Sequence, residues 1–299
     1  MSVTSHARYR NVSGLLHMAA DIDGWMDASD SLIAILISRI QHARGIVGNA
    51  GEVGVHKGKF FCIIAGSARQ DEQLFACDLF ESLQALNVDH SGRGRRAAFE
   101  RNARHCGAHT VNVFAGSSLD LPSRRDFVPL QSSRFLSIDA GHLDLLTFGD
   151  LQWGASSLKE GGVVVLDDIH DPEWPGVPRG LRGFFHLIDP AYARLRPLVV
   201  TSRKVFLATA ASHARLMSDL HSVLTSRSVA DLAPPLRAIR AGFDWKASHI
   251  CRAPTQMSVE ELGRWFDQVE DRKELVAAHS LPRGLPHAGT AANFSILRC

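Results

Sequence analysis

The chain has 299 residues and is 45% hydrophobic, enough for one large domain, or one domain with appendages, around a sizeable core. Lys and Arg number 33 against 31 Asp and Glu, so no strong net field recruits nucleic acid or an anionic membrane, and a small ligand is the better expectation. No run of about 18 apolar residues exists to span a bilayer, the first 25 residues hold no apolar core of signal-peptide length, and the five cysteines lack zinc spacing; these features read as a cytoplasmic protein with reduced thiols at Cys62, Cys77, Cys106, Cys251 and Cys299.

Residues 1–47 read as an N-terminal helical cover. In "SDSLIAILISRIQHAR" the apolar positions Leu32, Ile35, Leu36 and Ile40 follow a helical period, with an Asp or Ser available as cap. Strand-like apolar runs then appear near 51–56, 74–80, 110–116, 134–139 and 161–168, with helical stretches such as "AAFERNARHCG" and "LLTFGDLQWGASSL" among them. Short continuous apolar strands alternating with helices predict an α/β fold with a mostly parallel sheet covered on both faces. "PLVVTSR" and "KVFLATA", joined by a polar turn, predict an antiparallel hairpin that completes seven strands. The core is therefore expected over 48–212. From 213 to 299 the pattern is helical, as in "HARLMSDLHSVLTSR" and "SVEELGRWFDQVEDRKELVAA", and ends in a Gly- and Pro-containing tail that is free or lies against a neighbouring subunit of a homo-oligomer.

The chemistry-bearing residues fall at predicted strand tips. The first strand runs into Glu52, Gly54 and Gly58; glycines at a strand-to-helix turn let a ligand approach the backbone, and the helix N-terminus attracts an anionic group, although an ordinary turn uses the same residues. Asp78 ends the second strand about 20 residues on, where an acid accepts hydrogen bonds from ribose hydroxyls; the bland alternative is a helix cap. Gly116, Ser117 and Ser118 follow the third strand and suit an adenine edge or a plain loop. Asp139 ends the fourth strand, and Asp167 and Asp168 end the fifth. Ligands of open α/β sheets lie outside these carboxyl ends, so the three carboxylates converge, and all-oxygen ligation selects Mg²⁺, Mn²⁺ or Ca²⁺. His142 lies one turn beyond Asp139, placed to take a proton in the same cleft.

Together "GEVGVHKGKFF", "CDLFESLQALNVDHSGRG", "SIDAGH" and "VVVLDDIHDPEWPGV" resemble the metal-dependent class I S-adenosylmethionine methyltransferases that methylate sugar hydroxyls, the macrolide-sugar and mycobacterial methylmannose-polysaccharide enzymes. The resemblance spans about residues 48 to 210 and implies a Rossmann-like class I methyltransferase fold. It also implies S-adenosylmethionine as donor, held by Glu52, Gly54, Gly58, Asp78, Gly116, Ser117 and Asp139. Mg²⁺, or Mn²⁺, would be held by Asp139, Asp167 and Asp168, with His142 as general base and a saccharide or glycosylated small molecule as acceptor. Catechol-type relatives usually carry a Lys base and an Asp-Asn pair, so His142 and Asp167-Asp168 favour a sugar-like acceptor. A different class of reading is a metal-independent or RNA-directed methyltransferase using the arginine-rich segment 93–104, but Glu100 interrupts that segment, which reads better as a solvated face or a lid. His142-Leu143-Asp144 begins an iron facial triad, which belongs on all-β barrels. Trp174 stands ready to stack on a sugar or to pack its own loop.

Overall fold

In the computed structural model, residues 12–187, 194–201 and 203–225 are described, together with a short antiparallel pair, Arg237–Ala238 and Cys251–Arg252. The expected helix over 258–278, the tail and residues 1–11 lie outside the described residues. Seven strands form one sheet: β1 (Asn49–Val53), β2 (Leu74–Asp78), β3 (Asn112–Ala115), β4 (Ser133–Ile138), β5 (Leu158–Leu166), β6 (Leu195–Val200) and β7 (Val205–Thr209). Their order is β3-β2-β1-β4-β5-β7-β6, parallel from β3 to β5, with β7 antiparallel to both β5 and β6. This is the Rossmann-like, mostly parallel sheet with a terminal antiparallel hairpin that the sequence predicts.

Successive residues of the central strands feed opposite layers, as a period of two requires. Val163 and Val165 enter one core with α1 (Val12–Ala20), α2 (Ala28–Ala43) and α3 (Lys59–Ser67). Val164 and Leu166 enter the other, with α5 (Asp144–Ser157) and α6 (Gly176–Leu187). The remaining helices are α4 (Arg96–His105) and α7 (His213–Thr225). The start of α2 is fixed by Asp30, whose carboxylate accepts the Asp27 backbone N–H at 2.9 Å. The central strand β1 is poor in β-formers because its neighbour leaves no room: a Cβ on Gly51 would lie 2.2 Å from the Phe75 carbonyl oxygen. No helix among the described residues is long and apolar enough to cross a membrane.

The thiol expectation needs correction. Cys62 on α3 and Cys106 at the end of α4 form a disulfide across 44 residues of sequence, and Cys77 remains a buried free thiol. Spacing conceals the pair because α3 and α4 become neighbours only after β2 has crossed between them. The sequence reading passes over helix α6: "GVPRGLRGFFHL" carries three glycines or prolines in its first turns, although Val177, Leu181 and Phe184 recur at a helical period and are buried in the layer it shares with α5.

Beneath the amino ends of the strands, Arg134 is 1% exposed and donates to Glu72 at 2.5 and 2.8 Å and to Gln41 at 2.8 Å. Gln41 in turn donates to the Arg134 and Gly161 carbonyls. Burial alone would raise the Glu72 carboxyl, but its contacts with His42 and Arg134 outweigh this and bring it down to about 2. A depressed carboxyl stabilises the fold above its ordinary value and loses that contribution as pH falls toward 2. Glu72→Gln, which strands the buried guanidinium, should cost roughly 3 kcal/mol in urea unfolding at neutral pH, with the difference from wild type shrinking in acid.

Candidate active site

The strand order reverses between β1 and β4, the place in an open α/β sheet where loops diverge and leave a crevice. A cavity of about 830 Å³ opens there, within the range of small-molecule sites, and its wall takes residues from the tips of all five parallel strands.

Over β1 to β3, the expected donor-side residues divide. Gly54 is on the wall, with φ +85°, and a Cβ there would lie 1.8 Å from the Asp139 carbonyl oxygen; the glycine serves the contact between two strand tips. Gly58 and Glu52 do not reach the wall. Gly58, with φ +91°, precedes α3, where a Cβ would press on Phe99 at 3.0 Å. Glu52 is buried beneath the cavity, and burial pushes its carboxyl up to about 8. Asp78, Gly116 and Ser117 line the cavity. The Asp78 oxygens each accept one backbone N–H, from His56 and from Phe80, both at 2.7 Å, which fixes the carboxylate while leaving lone pairs for a ligand. Ser117 accepts the Leu119 N–H, so part of its capacity goes to a local turn.

Over β4 and β5 the structure brings Asp139, His142 and Asp168 together, with one donor atom of each within 4.8 Å of the others. His142 Nε2 lies 3.2 Å from Asp168 and 3.7 Å from Asp139. Its other nitrogen, Nδ1, is 3.0 Å from Asp89, which also accepts the His142 backbone N–H at 2.7 Å. Burial alone would lower the imidazole, but hydrogen bonding to Asp139, Asp168 and Asp89 outweighs it and raises the pKa to about 11. Desolvation, then repulsion from Asp167, pushes Asp139 up to about 7. Three groups thus crowd together where a divalent cation would relieve the carboxylate repulsion, and two carboxylates plus an imidazole fit such a cation.

Asp167 departs from the expected ligand set. It lines the cavity, yet its carboxylate pairs with the ammonium of Lys204, which has no exposed surface, and accepts the Asp168 N–H at 2.8 Å. Asp168 takes the left-handed conformation, φ +56°, unusual for a residue with a Cβ. Arg203 clamps it: the guanidinium pairs with Asp168 Oδ1, and the Arg203 carbonyl accepts the Ile169 N–H at 3.0 Å.

Asp89, Arg203 and Lys204 were not singled out from sequence. Asp89 sits in an irregular loop with no periodicity, and the two bases sit in the hairpin turn, where only the count of opposing acids hinted that a buried cation was needed. Trp174 stacks on His142, with ring centroids 4.3 Å apart. Asp144 is more than half exposed and faces Arg179 at 3.9 Å, so no H-x-D cluster forms with His142. Arg93, Arg95, Arg96, Arg101 and Arg104 are exposed and do not line the cavity; Arg96 pairs with Glu100 at 2.9 Å.

The sequence from Glu52 to Ile169, which spans these strand tips, matches a methyltransferase-domain family. No curated protein matches the sequence. Among solved structures, the chain is similar to the O-methyltransferase NovP, at 16% identity over 60% of this chain and 78% of that one, with a TM-score of 0.48. It is also similar to the O-methyltransferase TomG from Streptomyces achromogenes, solved with S-adenosylmethionine, at 17% identity over 67% and 89% of the two chains, with a TM-score of 0.45. A third is CalS11, a TDP-rhamnose 3'-O-methyltransferase, at 17% identity over 60% and 78%, with a TM-score of 0.41.

Lys204→Met keeps the side-chain volume but takes away the ammonium paired with buried Asp167, leaving only the Arg203 guanidinium 3.9 Å away. Unfolding in urea should show a loss of roughly 3 kcal/mol, and added Mn²⁺ should recover part of it; an unchanged midpoint would contradict the counter-ion role.

Proposed function

We propose that the protein is an S-adenosylmethionine-dependent O-methyltransferase that uses a divalent cation and methylates a hydroxyl of a saccharide or glycosylated small molecule. One observation carries the reading: a single cavity holds Asp78 at the tip of β2 and the Asp139, His142 and Asp168 cluster at the tips of β4 and β5. The methyltransferase domain over 52–169 supports the reaction class.

The donor lies over β1 to β3, with its ribose on Asp78 and its adenine near Gly116 and Ser117. Its methyl group is already activated on a sulfonium, so the protein mainly supplies in-line positioning. Asp139 and Asp168 would hold Mg²⁺ or Mn²⁺, which would supply Lewis-acid activation of the acceptor hydroxyl. Asp167 acts from behind, tying the acidic pair to Lys204. Asp89 accepts a hydrogen bond from Nδ1–H of His142 and so leaves Nε2 as the acceptor for the hydroxyl proton. An imidazole near pKa 11 is protonated at neutral pH and cannot serve as a base. A cation on Asp139 and Asp168 would neutralise two of the three groups that raise its pKa, leaving Asp89, and would bring Nε2 toward the range of a base.

S-adenosylhomocysteine should bind in calorimetry, and Asp78→Ala should weaken it at least tenfold. EDTA should abolish methyl transfer from labelled donor while leaving S-adenosylhomocysteine binding largely intact. No detectable binding of S-adenosylhomocysteine to the wild type would refute the reading.

The 3.2 and 3.7 Å separations also favour a second reading, with His142 Nε2 as a third cation ligand. Both readings lower kcat in His142→Gln, by roughly 10²- to 10⁴-fold if the base is lost. As a base, His142 leaves Mn²⁺ affinity near normal when removed, and the variant loses the ionisation through which kcat rises with pH. As a ligand, its removal weakens Mn²⁺ at least tenfold. Electron paramagnetic resonance titration of Mn²⁺ distinguishes the two.

A further inference from the structure

Water-exposed large apolar side chains are usually scattered. Here Trp25, Leu86, Val88, Leu119, Leu143 and Leu145, six of the seven such residues among those described, line the one cavity; Leu130 is the exception. Trp25, Leu86 and Leu119 follow α1, β2 and β3 and belong to the donor end. The other three lie at the acceptor end. Val88 precedes the Asp89 that holds His142, and Leu143 and Leu145, 44% and 80% exposed, begin α5 immediately after His142. Trp174, stacked on His142, extends this apolar rim.

The charge of the same wall is one-sided. Among the described residues it carries nine carboxylates and, as its only Lys or Arg, Arg203, which is already paired with Asp168. At the acceptor end Asp144, Asp171 and Glu173 stand beside the leucines and Trp174. Pyrophosphate recognition uses guanidinium or ammonium groups or a helix N-terminus. Here α5, whose start lies on this wall, begins with Asp144. Among the described residues a diphosphate would meet repulsion without an unpaired basic side chain to hold it, and the proposed divalent cation is committed to the reacting hydroxyl.

We infer that the acceptor is an amphipathic glycoside: its reacting hydroxyl sits at Asp139, His142 and Asp168, and it bears an apolar body, uncharged or cationic, that rests on Val88, Leu143, Leu145 and Trp174. A nucleoside-diphosphate sugar and a free sugar are poor fits. This rests on the methyltransferase reading and names the acceptor class for that site.

The experiment is calorimetry on the full chain loaded with S-adenosylhomocysteine and Mn²⁺, with S-adenosylhomocysteine binding itself as the control. Methyl, butyl and octyl glycosides of one sugar are titrated below their micellar concentrations, beside the free sugar and thymidine-diphosphate rhamnose. Burial of methylene groups should tighten binding along the series, by at least tenfold from methyl to octyl. The nucleotide sugar should bind no better than the methyl glycoside. Leu145→Asn and Leu143→Asn should each weaken the octyl glycoside about tenfold and leave S-adenosylhomocysteine affinity unchanged. A flat series, a nucleotide sugar that binds tightest, no binding by any of these probes, or octyl binding indifferent to both variants would each overturn the inference with the donor site intact. Failure of S-adenosylhomocysteine to bind would overturn the methyltransferase reading, and this one with it.

Discussion

The ammonium of Lys204, with no surface open to solvent, is the charge on which the acidic end of the sheet depends. It pairs with Asp167, lies 4.4 Å from the Phe60 ring centroid, and feels the fields of Asp139 and Asp30. Burial opposes its charge, yet those acids outweigh the cost and hold its pKa above the ordinary lysine value. Five acids, Asp30, Glu52, Asp139, Asp167 and Asp168, gather around the strand tips. Glu52 is protonated at neutral pH even so, and without an internal cation Asp167 would have to follow it or force the strands apart. Lys204 comes from the terminal hairpin, so the antiparallel strands do more than close the sheet: they deliver the counter-charge that lets parallel strands end in carboxylates.

The same hairpin shapes the acidic cluster. Arg203 holds Asp168 by side chain and Ile169 by backbone, and the left-handed backbone at Asp168 persists because it is held from both sides. On the opposite wall Asp89 ties the loop after β2 to His142 after β4. The candidate base is therefore positioned by a residue 53 positions earlier, from the half of the sheet that the donor would occupy. Donor side and acceptor side are joined through a hydrogen bond instead of a shared strand.

Much of this was legible in the sequence. Apolar runs located all seven strands because buried parallel strands read as continuous hydrophobic stretches, and the tip residues Asp78, Asp139 and Asp168 followed from where those runs stop. What escaped depends on tertiary neighbours. Glu52 and Gly58 have the right spacing, but spacing does not say on which side of the turn a residue emerges, and both turn away from the cavity. Asp167 and Asp168 are adjacent, so alternation sends one toward Lys204 and the other toward His142. The disulfide and the partners Asp89 and Arg203 carry no periodic signal, since each is defined by what packs against it, whereas the helical period of Val177, Leu181 and Phe184 in α6 was masked by the Gly and Pro residues among them.

The disulfide joins α3 to the end of α4 and encloses β2 with the whole loop that carries Asp78 and Asp89. Several residues of that loop, from Leu86 to Arg95, are solvent-exposed, the kind of segment a protease reaches first. A peptide bond broken there would not release either half. The nicked protein would run as one chain on a non-reducing gel and as two after a thiol is added, so the bridge makes the loop's integrity and the molecule's integrity separate properties.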